Sequence, residues 1–348
     1  MEESAKHLLN EESREPVRWF FWISMLFSIG YATALSIPYG VRPDAWLALT
    51  VFPVWVWTFP PVVLVLIIGL FSGRHFFLVS LPFLLVTYIA SDTPDAFLRE
   101  ITHRTPPTVR LPGDQSLRII SHNCRHLPSA LLDLKRYEPD IVLIQETLTV
   151  NELDDVRVHL FGEGGFSLRG NDISILSKYP MKQISLENKH QRFGMAATTL
   201  IPTQNGTESI LLAPIHLYSP PFRYELWQSD CWQSYTQHRI AQREQFNAIL
   251  NSLPEFDAAD NVIIGGDFNA VAGDGIFELM PEFMQESFRE VGVGWGSTFP
   301  SNFPVVRIDQ LWTTPRLKPM RCHTVDSHSS DHRVVIVDYE IIPDWLHE

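Results

Sequence analysis

The apolar positions of this chain follow two patterns, one in its N-terminal part and one in the remainder. Long uncharged runs occupy residues 19–39, 45–71 and 76–90, whereas the later apolar runs are short and bounded by polar residues. A helix that spans a membrane needs about 20 apolar residues, so the first two runs are long enough and the third is short. The pattern predicts two or three membrane-spanning helices, and we expect three.

A cleaved signal peptide is the alternative interpretation of the first run. That run is longer than the apolar region of a signal peptide, and two further apolar runs would remain after cleavage. Basic residues favour the cytoplasmic side of a membrane. Those near the spans are Lys6, Arg14, Arg18, Arg42 and Arg74. Two spans would leave the C-terminal domain in the cytoplasm. With three spans, we expect a multi-pass protein of the cell membrane whose domain is extracytoplasmic.

The remaining pattern predicts a linker and one α/β domain. Residues 1–18 form an N-terminal flank, 19–91 the membrane region, 92–116 a proline-containing linker and 117–345 the domain. Short apolar runs predict strands at 117–121, 141–145, 172–176, 209–217, 261–264, 305–312 and 334–339. Helical patterns occur at 129–137 and 234–253. Many strands with few helices between them favour two packed sheets flanked by helices.

The charge balance argues against a nucleic-acid substrate. The 348 residues carry a formal net charge of −13, and residues 101–348 contain 21 basic and 31 acidic residues. A protein that binds duplex DNA usually gains affinity by neutralising phosphates with basic side chains. An acidic domain is better suited to holding a cation.

Several polar side chains share one position, beside an apolar strand end. They are Asn123, Glu146, His216, Asp267, Asn269, Asp309, Asp331 and His332. Burying so many ionisable groups beside a core is costly unless a partner compensates their charge. A divalent cation is such a partner, and oxygen donors from Asp, Glu and Asn suit Mg²⁺ or Mn²⁺. The pattern therefore predicts a divalent-metal site.

Five short motifs in this set resemble the endonuclease/exonuclease/phosphatase superfamily. They are Ser-His-Asn ending at Asn123, Ile-Gln-Glu at Glu146, Gly-Gly-Asp-Phe-Asn at 265–269, Arg-Ile-Asp-Gln around Asp309 and Ser-Asp-His-Arg at 330–333. Their order and approximate spacing agree with the family over residues 117–340, and residues 294–309 resemble a membrane-anchored bacterial subgroup. The resemblance implies an α/β (α+β) fold, a four-layer sandwich of two facing β-sheets between outer helices, with the active site at one edge.

The resemblance also implies roles for the strand-end residues. The metal ligands would be Asn123, Glu146 and Asp331. The catalytic residues would be His216, Asp267, Asn269, Asp309 and His332. Asp309 would orient His332, Asp267 would position the attacking water, and His216 would stabilise charge on the phosphoryl group. Whether Asp267 or His332 accepts the proton of the water is left open.

Two arginines are candidate substrate-binding residues. Arg125 stands two positions after Asn123, where DNA-repair members of the family carry an acidic residue, and this departure argues against a repair endonuclease. Arg223 lies in an aromatic loop after His216 that would form a lip of the site or touch a membrane. The expected function is metal-dependent hydrolysis of a lipid-linked or small cell-envelope phosphate, with membrane lipids contacting the N-terminal helices. The alternatives are a membrane-tethered nuclease, a sphingomyelinase-like phosphodiesterase and an inactive binding scaffold, and the oligomeric state is left open.

Overall fold

The computed structural model describes residues 2–91, 93–102, 106–110, 116–186, 192–204 and 206–342. The chain divides into two compact units, Met1–Asp92 and Thr93–Glu348. In the described residues the N-terminal unit is helical, and the strands belong to the C-terminal unit. The division falls where the long apolar runs of the sequence end.

The helices of the N-terminal unit follow the long apolar runs. They are α1 (Glu2–Val41), α2 (Leu47–Thr50), α3 (Val54–Ser72) and α4 (Leu81–Ile89), with 3-10 helices at Asp44–Trp46 and Arg74–Ser80. Two segments, Arg18–Val41 and Val54–Ser72, are long and apolar enough to cross a membrane. The third predicted span contains a 3-10 helix and the nine-residue α4. Among the described residues, the count therefore reaches three only if the bent pair of helices His75–Ile89 and Thr93–Thr102 forms one span.

In its described residues, the C-terminal unit is built on two six-stranded sheets. The strands are β1 (Ser116–Asn123), β2 (Ile141–Gln145), β3 (Phe166–Arg169), β4 (Ile173–Ser177), β5 (Met181–Ile184), β6 (Ala196–Thr203), β7 (Gly206–His216), β8 (Val262–Asp267), β9 (Gln285–Glu286), β10 (Asp309–Thr313), β11 (Leu317–Val325) and β12 (Val334–Ile341). The first sheet has the order β11-β12-β1-β2-β4-β3 and the second β5-β6-β7-β8-β10-β9. Each sheet has a parallel pair at its centre, β1 with β2 and β7 with β8.

The helices of this unit are α5 (Thr93–Thr102), α6 (Pro128–Leu132), α7 (Val150–Phe161), α8 (Ser229–Leu250) and α9 (Ser287–Val291), with 3-10 helices at Asp133–Tyr137 and Gly275–Leu279. Helices α6, α7 and α8 cover the outer faces of the sheets, whereas α5 and α9 contribute Ala96 and Phe288 to the cluster between the sheets. Leu131 of α6 and Val156 of α7 share an apolar cluster with β1 and β2. Phe246 of α8 shares another with β7 and β8.

The main core lies between the sheets. Its buried cluster combines Ile119 and Leu143 of the first sheet with Leu212 and Ile263 of the second. Burial on both faces explains why β2 is an uninterrupted apolar run in the sequence. Helix, sheet, sheet and helix thus form four layers, and the predicted sandwich is confirmed.

The sequence pattern missed strands β6 and β11, which have eight and nine residues, and several elements that are short or exposed or whose start is defined by a cap. Edge strands β3 and β5 contain exposed and half-buried residues, so no apolar run marks them. Helix α7 begins with a capping box formed by Thr149 and Glu152. The strand predicted over 305–312 was wrong in its start, because residue 306 forms an isolated bridge with residue 299 and β10 begins at Asp309.

The segment predicted as a linker contains helix α5, which belongs to the C-terminal unit. Ala96 on this helix is fully buried, and its carbonyl accepts a 3.0 Å hydrogen bond from the backbone N–H of Gly294. Arg99 Nε donates to the carbonyl of Gly292 at 2.7 Å. At least this part of the segment is therefore packed against the domain.

Candidate active site

The ends of the two central parallel pairs meet at one edge of the sandwich. β1 ends at Asn123, β2 is followed by Glu146, β7 ends at His216 and β8 ends at Asp267. A 3.1 Å hydrogen bond from Asn123 Nδ2 to Asp267 Oδ2 joins the two sheets here. Because parallel strands point the same way, their carboxyl ends bring side chains to a common edge.

Asp267 lies between two imidazoles at the centre of this edge. Its Oδ2 is 3.5 Å from His216 Nε2 and 3.7 Å from His332 Nε2. Its Oδ1 accepts a 2.9 Å hydrogen bond from the backbone N–H of Asn269. Burial raises the pKa of Asp267, and the nearby Asp309 charge acts in the same direction, while the two imidazoles oppose the shift. Asp267 is therefore a buried carboxylate of raised basicity, faced by two potential hydrogen-bond donors.

His332 is held in place by Asp309. Its Nδ1 lies 2.9 Å from Asp309 Oδ2, and its backbone N–H donates to Ser330 Oγ at 3.1 Å. Burial lowers the pKa of His332, but the charges of Asp309 and Asp267 outweigh burial and raise the pKa to about 10. The imidazole is therefore protonated at neutral pH and can donate from both nitrogens.

His216 is held in the same way by Asp172, a residue that the sequence analysis did not single out. His216 Nδ1 lies 2.5 Å from Asp172 Oδ2. Burial lowers the pKa of His216, but the hydrogen bond to Asp172 and the charge of Asp267 raise it above the usual value. Asp172 directly precedes β4, which runs antiparallel to β2, so the start of β4 lies where β2 ends. A search for polar residues at the starts as well as the ends of apolar strands would have found it.

Buried glutamines of α8 hold the loops that carry these side chains. Gln245 Oε1 accepts a 2.8 Å hydrogen bond from the backbone N–H of Tyr218. Gln242 Nε2 donates to the carbonyls of Tyr218 at 2.9 Å and Phe268 at 3.1 Å. Arg239 donates to Gln242 Oε1 at 2.7 Å and so fixes the orientation of that amide. This support has no signal in the sequence, because a glutamine in a helix resembles a solvent-facing residue until its burial is known.

The oxygen donors of the site suit a divalent ion. Glu146 Oε1 accepts a 3.1 Å hydrogen bond from Asn123 Nδ2, and the Glu146 side chain is 30% exposed. Ligand atoms of Asp267, Asp309 and His332 lie within 4.8 Å of one another, close enough to share one ion. Asp309 Oδ1 is buried and has no hydrogen-bond partner among the described residues. A buried carboxylate oxygen without a partner, in a set of hard donors, fits Mg²⁺ or Mn²⁺.

Asn269 and Asp331 lie beside this centre. Asn269 adopts a φ of 47°, and its Nδ2 donates to the carbonyl of Leu217 at 2.9 Å, so its amide joins the ends of β7 and β8. Asp331 is half-buried, and its charge is one of those that raise the pKa of His332. The predicted catalytic residues and metal ligands thus lie at one edge of the sandwich, and their roles stay predictions.

The two arginines predicted to bind substrate occupy different surroundings. Arg125 is exposed, and its backbone N–H donates to Asn123 Oδ1 at 3.1 Å. The guanidinium of Arg223 pairs with Asp230 at 3.0 Å and Glu225 at 3.4 Å. Arg125 therefore adjoins the site, whereas the charge of Arg223 is shared within its own loop and helix start. Substrate binding by either arginine stays a prediction.

The two facing sheets and their edge of Asp, Asn, Glu and His side chains define a class of hydrolase. A family model described as the endonuclease/exonuclease/phosphatase family matches residues 120–332. The chain belongs to this family, whose members are hydrolases. It matches none of the curated proteins with which it was compared.

Similar solved structures include bacterial and animal proteins. An endonuclease/exonuclease/phosphatase from Beutenbergia cavernae is 16% identical with a TM-score of 0.49, over 66% of this chain and 72% of that one. One from Bacteroides vulgatus is 16% identical with a TM-score of 0.49, over 65% and 99%. D. rerio TDP2 complexed with a single-strand DNA product is 15% identical with a TM-score of 0.47, over 65% and 100%. These likenesses carry no argument about the substrate of this chain.

Proposed function

We propose that this chain is a membrane-anchored, divalent-metal-dependent hydrolase that cleaves a phosphoester of a lipid-linked or small cell-envelope phosphate. The proposal depends on the position of Asp267 between two imidazoles, each held by a second carboxylate. Hydrolysis of a phosphoester needs an acceptor for the proton of water and donors against the non-bridging oxygens. Asp267, His216 and His332 are suited to supply both.

Asn123, Glu146 and Asp331, rather than the buried cluster of Asp267, Asp309 and His332, are the residues that would hold Mg²⁺ or Mn²⁺. Their oxygens are hard donors, and the partial exposure of Glu146 lets a hydrated ion reach it. His332 suits the ion less well, because a protonated imidazole has no free lone pair and both of its nitrogens face carboxylates. When bound, the ion would supply positive charge against a phosphoryl oxygen.

Asp267 is the proposed proton acceptor. His332 has a pKa of about 10, so it carries its proton at neutral pH and cannot accept another. Burial raises the pKa of Asp267 and makes its carboxylate a stronger base. The attacking water would lie against Asp267, with Asn269 helping to position it. His216 and His332 would donate hydrogen bonds to phosphoryl oxygens, where negative charge develops.

The aromatic loop, residues 218–228 after β7, supports a substrate with an apolar part. Phe222, Tyr224 and Trp227 are 80%, 73% and 78% exposed. The ring centroids of Phe222 and Phe299 are 6.4 Å apart, and the Phe299 centroid is 5.0 Å from that of His332. Exposed apolar groups gathered in one place mark contact with an apolar partner, and Tyr and Trp favour the membrane interface. A line of aromatic rings from the surface to His332 suits a lipid tail attached to the phosphate.

The apolar helices support a position in the cell membrane. Arg18–Val41 and Val54–Ser72 are each long and apolar enough to span it. A third span would put the N-terminus and the domain on opposite sides, and the basic residues before the first span favour a cytoplasmic N-terminus. The domain would then face the cell envelope. Protease added to intact cells should cleave the domain, and complete protection would place it in the cytoplasm.

Hydrolysis is tested with the full chain in lipid nanodiscs. We expect cleavage of bis(p-nitrophenyl) phosphate or of a long-chain lipid phosphate to require Mg²⁺ or Mn²⁺ and to stop with EDTA. Glu146→Gln should reduce the rate about 100-fold or more, in the range of other positioned catalytic groups. Glu255→Gln, at an exposed carboxylate in the loop after α8, is the control and should change nothing. A cleavage rate that is unchanged both by EDTA and by Glu146→Gln would contradict the proposal.

The lipid preference is tested on the same preparation. Replacing Phe222, Tyr224 and Trp227 together by serine should lower kcat/KM for the long-chain substrate about tenfold, which is about 1.4 kcal/mol of lost apolar contact. The rate on the soluble diester should stay unchanged, as should both rates for Leu200→Ser, an exposed leucine on β6. Equal loss on both substrates would reject an apolar contact. Faster, salt-sensitive cleavage of DNA would favour the nuclease alternative.

A further inference from the structure

The turns that follow β1 and β2 are joined to each other and adopt an unusual backbone conformation. Arg125, His126 and Glu146 have φ values of 53°, 55° and 51°. The backbone N–H groups of Cys124 and His126 donate to the carbonyls of Gln145 at 3.1 Å and Glu146 at 3.0 Å. The left-handed region is unfavourable for residues other than glycine, and residues held there gather at functional sites. The left-handed conformation of these turns therefore indicates that their side chains have a function.

The turns direct the imidazole of His126 toward the carboxylate of Glu146. His126 Nδ1 lies 2.9 Å from the backbone carbonyl of Thr147. A carbonyl only accepts hydrogen bonds, so Nδ1 carries the proton of the neutral ring and Nε2 keeps a free lone pair. His126 Nε2 lies 3.8 Å from Glu146 Oε2. A histidine that ligates a metal is commonly oriented in this way, by donating its other N–H to a backbone carbonyl.

The separation of these two atoms suits a shared ion better than a direct hydrogen bond. A distance of 3.8 Å exceeds the range of an N–H···O hydrogen bond, which ends near 3.2 Å. Two atoms that each lie about 2.1 Å from one ion are about 3–4 Å apart. The side chains of His126 and Glu146 are 63% and 30% exposed, so a cation can reach both from solvent. Glu146 Oε1 is already engaged by Asn123 Nδ2 at 3.1 Å, which leaves Oε2 for the ion.

We propose that His126 Nε2 is a ligand of the divalent ion, together with Glu146 Oε2. The proposal concerns the metal of the proposed function and adds a nitrogen to the oxygen donors Asn123, Glu146 and Asp331. Mg²⁺ prefers oxygen ligands, whereas an imidazole suits first-row transition ions. The site is therefore selective for Mn²⁺ over Mg²⁺. The turn after β1 supplies a metal ligand in addition to reversing the chain.

The test uses Mn²⁺ as the probe and the full chain in lipid nanodiscs. Electron spin echo envelope modulation of bound Mn²⁺ should show coupling to a directly bound ¹⁴N nucleus in the wild type. His126→Gln should abolish this coupling and weaken Mn²⁺ binding about tenfold or more, while changing Mg²⁺ binding less. His159→Gln, at an exposed histidine on α7, should leave both unchanged. His332→Gln should keep the coupling, and its loss in that variant alone would overturn the proposal.

A second variant guards against a folding artefact. His126→Gly removes the imidazole and suits a φ of 55°, so it should retain the melting temperature in EDTA and lose the ¹⁴N coupling. Persistence of the coupling in both His126 variants would overturn the proposal. Hydrolysis by a wild type whose Mn²⁺ shows no ¹⁴N coupling would overturn it and leave the proposed function intact. Coupling that depends on His126 in a protein without hydrolysis would support the ligand and reject the function.

Discussion

The two imidazole–carboxylate pairs of the site are built alike but lie at different depths. The side chains of His332 and Asp309 are 8% and 0% exposed, and those of His216 and Asp172 are 12% and 10% exposed. Both imidazoles face the same oxygen, Asp267 Oδ2. Solvent reaches both partners of the outer pair, His216 and Asp172. The carboxylate of the inner pair, His332 and Asp309, is closed to solvent. The comparison indicates that the inner pair depends on its own partner for charge compensation, while water can partly replace Asp172 beside His216.

Both pairs also join the two sheets, in opposite directions. His332 precedes β12 of the first sheet and meets Asp309 on β10 of the second. His216 ends β7 of the second sheet and meets Asp172 before β4 of the first. Neither pair can form within a single sheet. The packing of the sandwich core therefore sets the geometry of the site.

We expect the largest loss of kcat from a substitution of Asp267, where the two pairs converge. Asp267→Asn keeps the shape of the side chain but removes the proposed proton acceptor, so kcat should fall about 10³–10⁴-fold with the metal present. Mn²⁺ binding should change little, because Asp267 is not one of the proposed ligands, whereas the melting temperature should fall, because the buried imidazole of His332 loses one of the charges that compensate it. Asp155→Asn, on the exposed surface of α7, is the matched control. A loss below tenfold would mean that Asp267 does not accept the proton.

The next largest loss of kcat is expected from substitutions that distinguish the inner pair from the outer pair. Asp309→Asn should lower kcat about 1,000-fold, because it removes the buried carboxylate that orients and charges His332. Asp172→Asn should lower kcat only about tenfold, because solvent reaches that pair. Steady-state kinetics on the soluble diester measures both. Equal losses would show that depth does not distinguish the pairs.

The smallest effect is on stability and reports the carboxylates around His332. The pKa of His332 is raised from an ordinary value of 6.5 to about 10, so its stabilising contribution is complete below pH 6.5 and is lost as pH rises through 10. Urea unfolding in EDTA should show wild type losing its advantage over His332→Gln across that window. His159→Gln should show no such trend. A difference from wild type that stays constant from pH 6.5 to 10 would contradict the raised pKa.

Much of the fold was predictable from short-range pattern. The continuous apolar run of β2 and the run before Asp267 marked central strands, because burial on both faces leaves no polar positions. Edge strand β3 was not predictable, since one residue of it is half-buried and the others are exposed. Helix α5 was hidden among the prolines and polar residues of its segment, and the burial of Ala96 and the hydrogen bond of Arg99 reveal its packing.

The candidate site was predictable to the extent that its residues end apolar strands. Asn123, His216 and Asp267 could be found this way, because the carboxyl ends of parallel strands share an edge. Asp172 escaped, because it starts an antiparallel strand. Gln242 escaped as well, because a helical glutamine carries no sign in the sequence that its amide is buried against loop carbonyls.

The sequence by itself determined which polar side chains follow which apolar strands, since alternation and burial act over a few neighbouring residues. Only the tertiary structure decided which carboxylate holds which imidazole. The partners are 44 residues apart in one pair and 23 in the other, and they come from opposite sheets. Their contacts therefore depend on how two sheets pack across a common core, which is a long-range property that no local pattern contains.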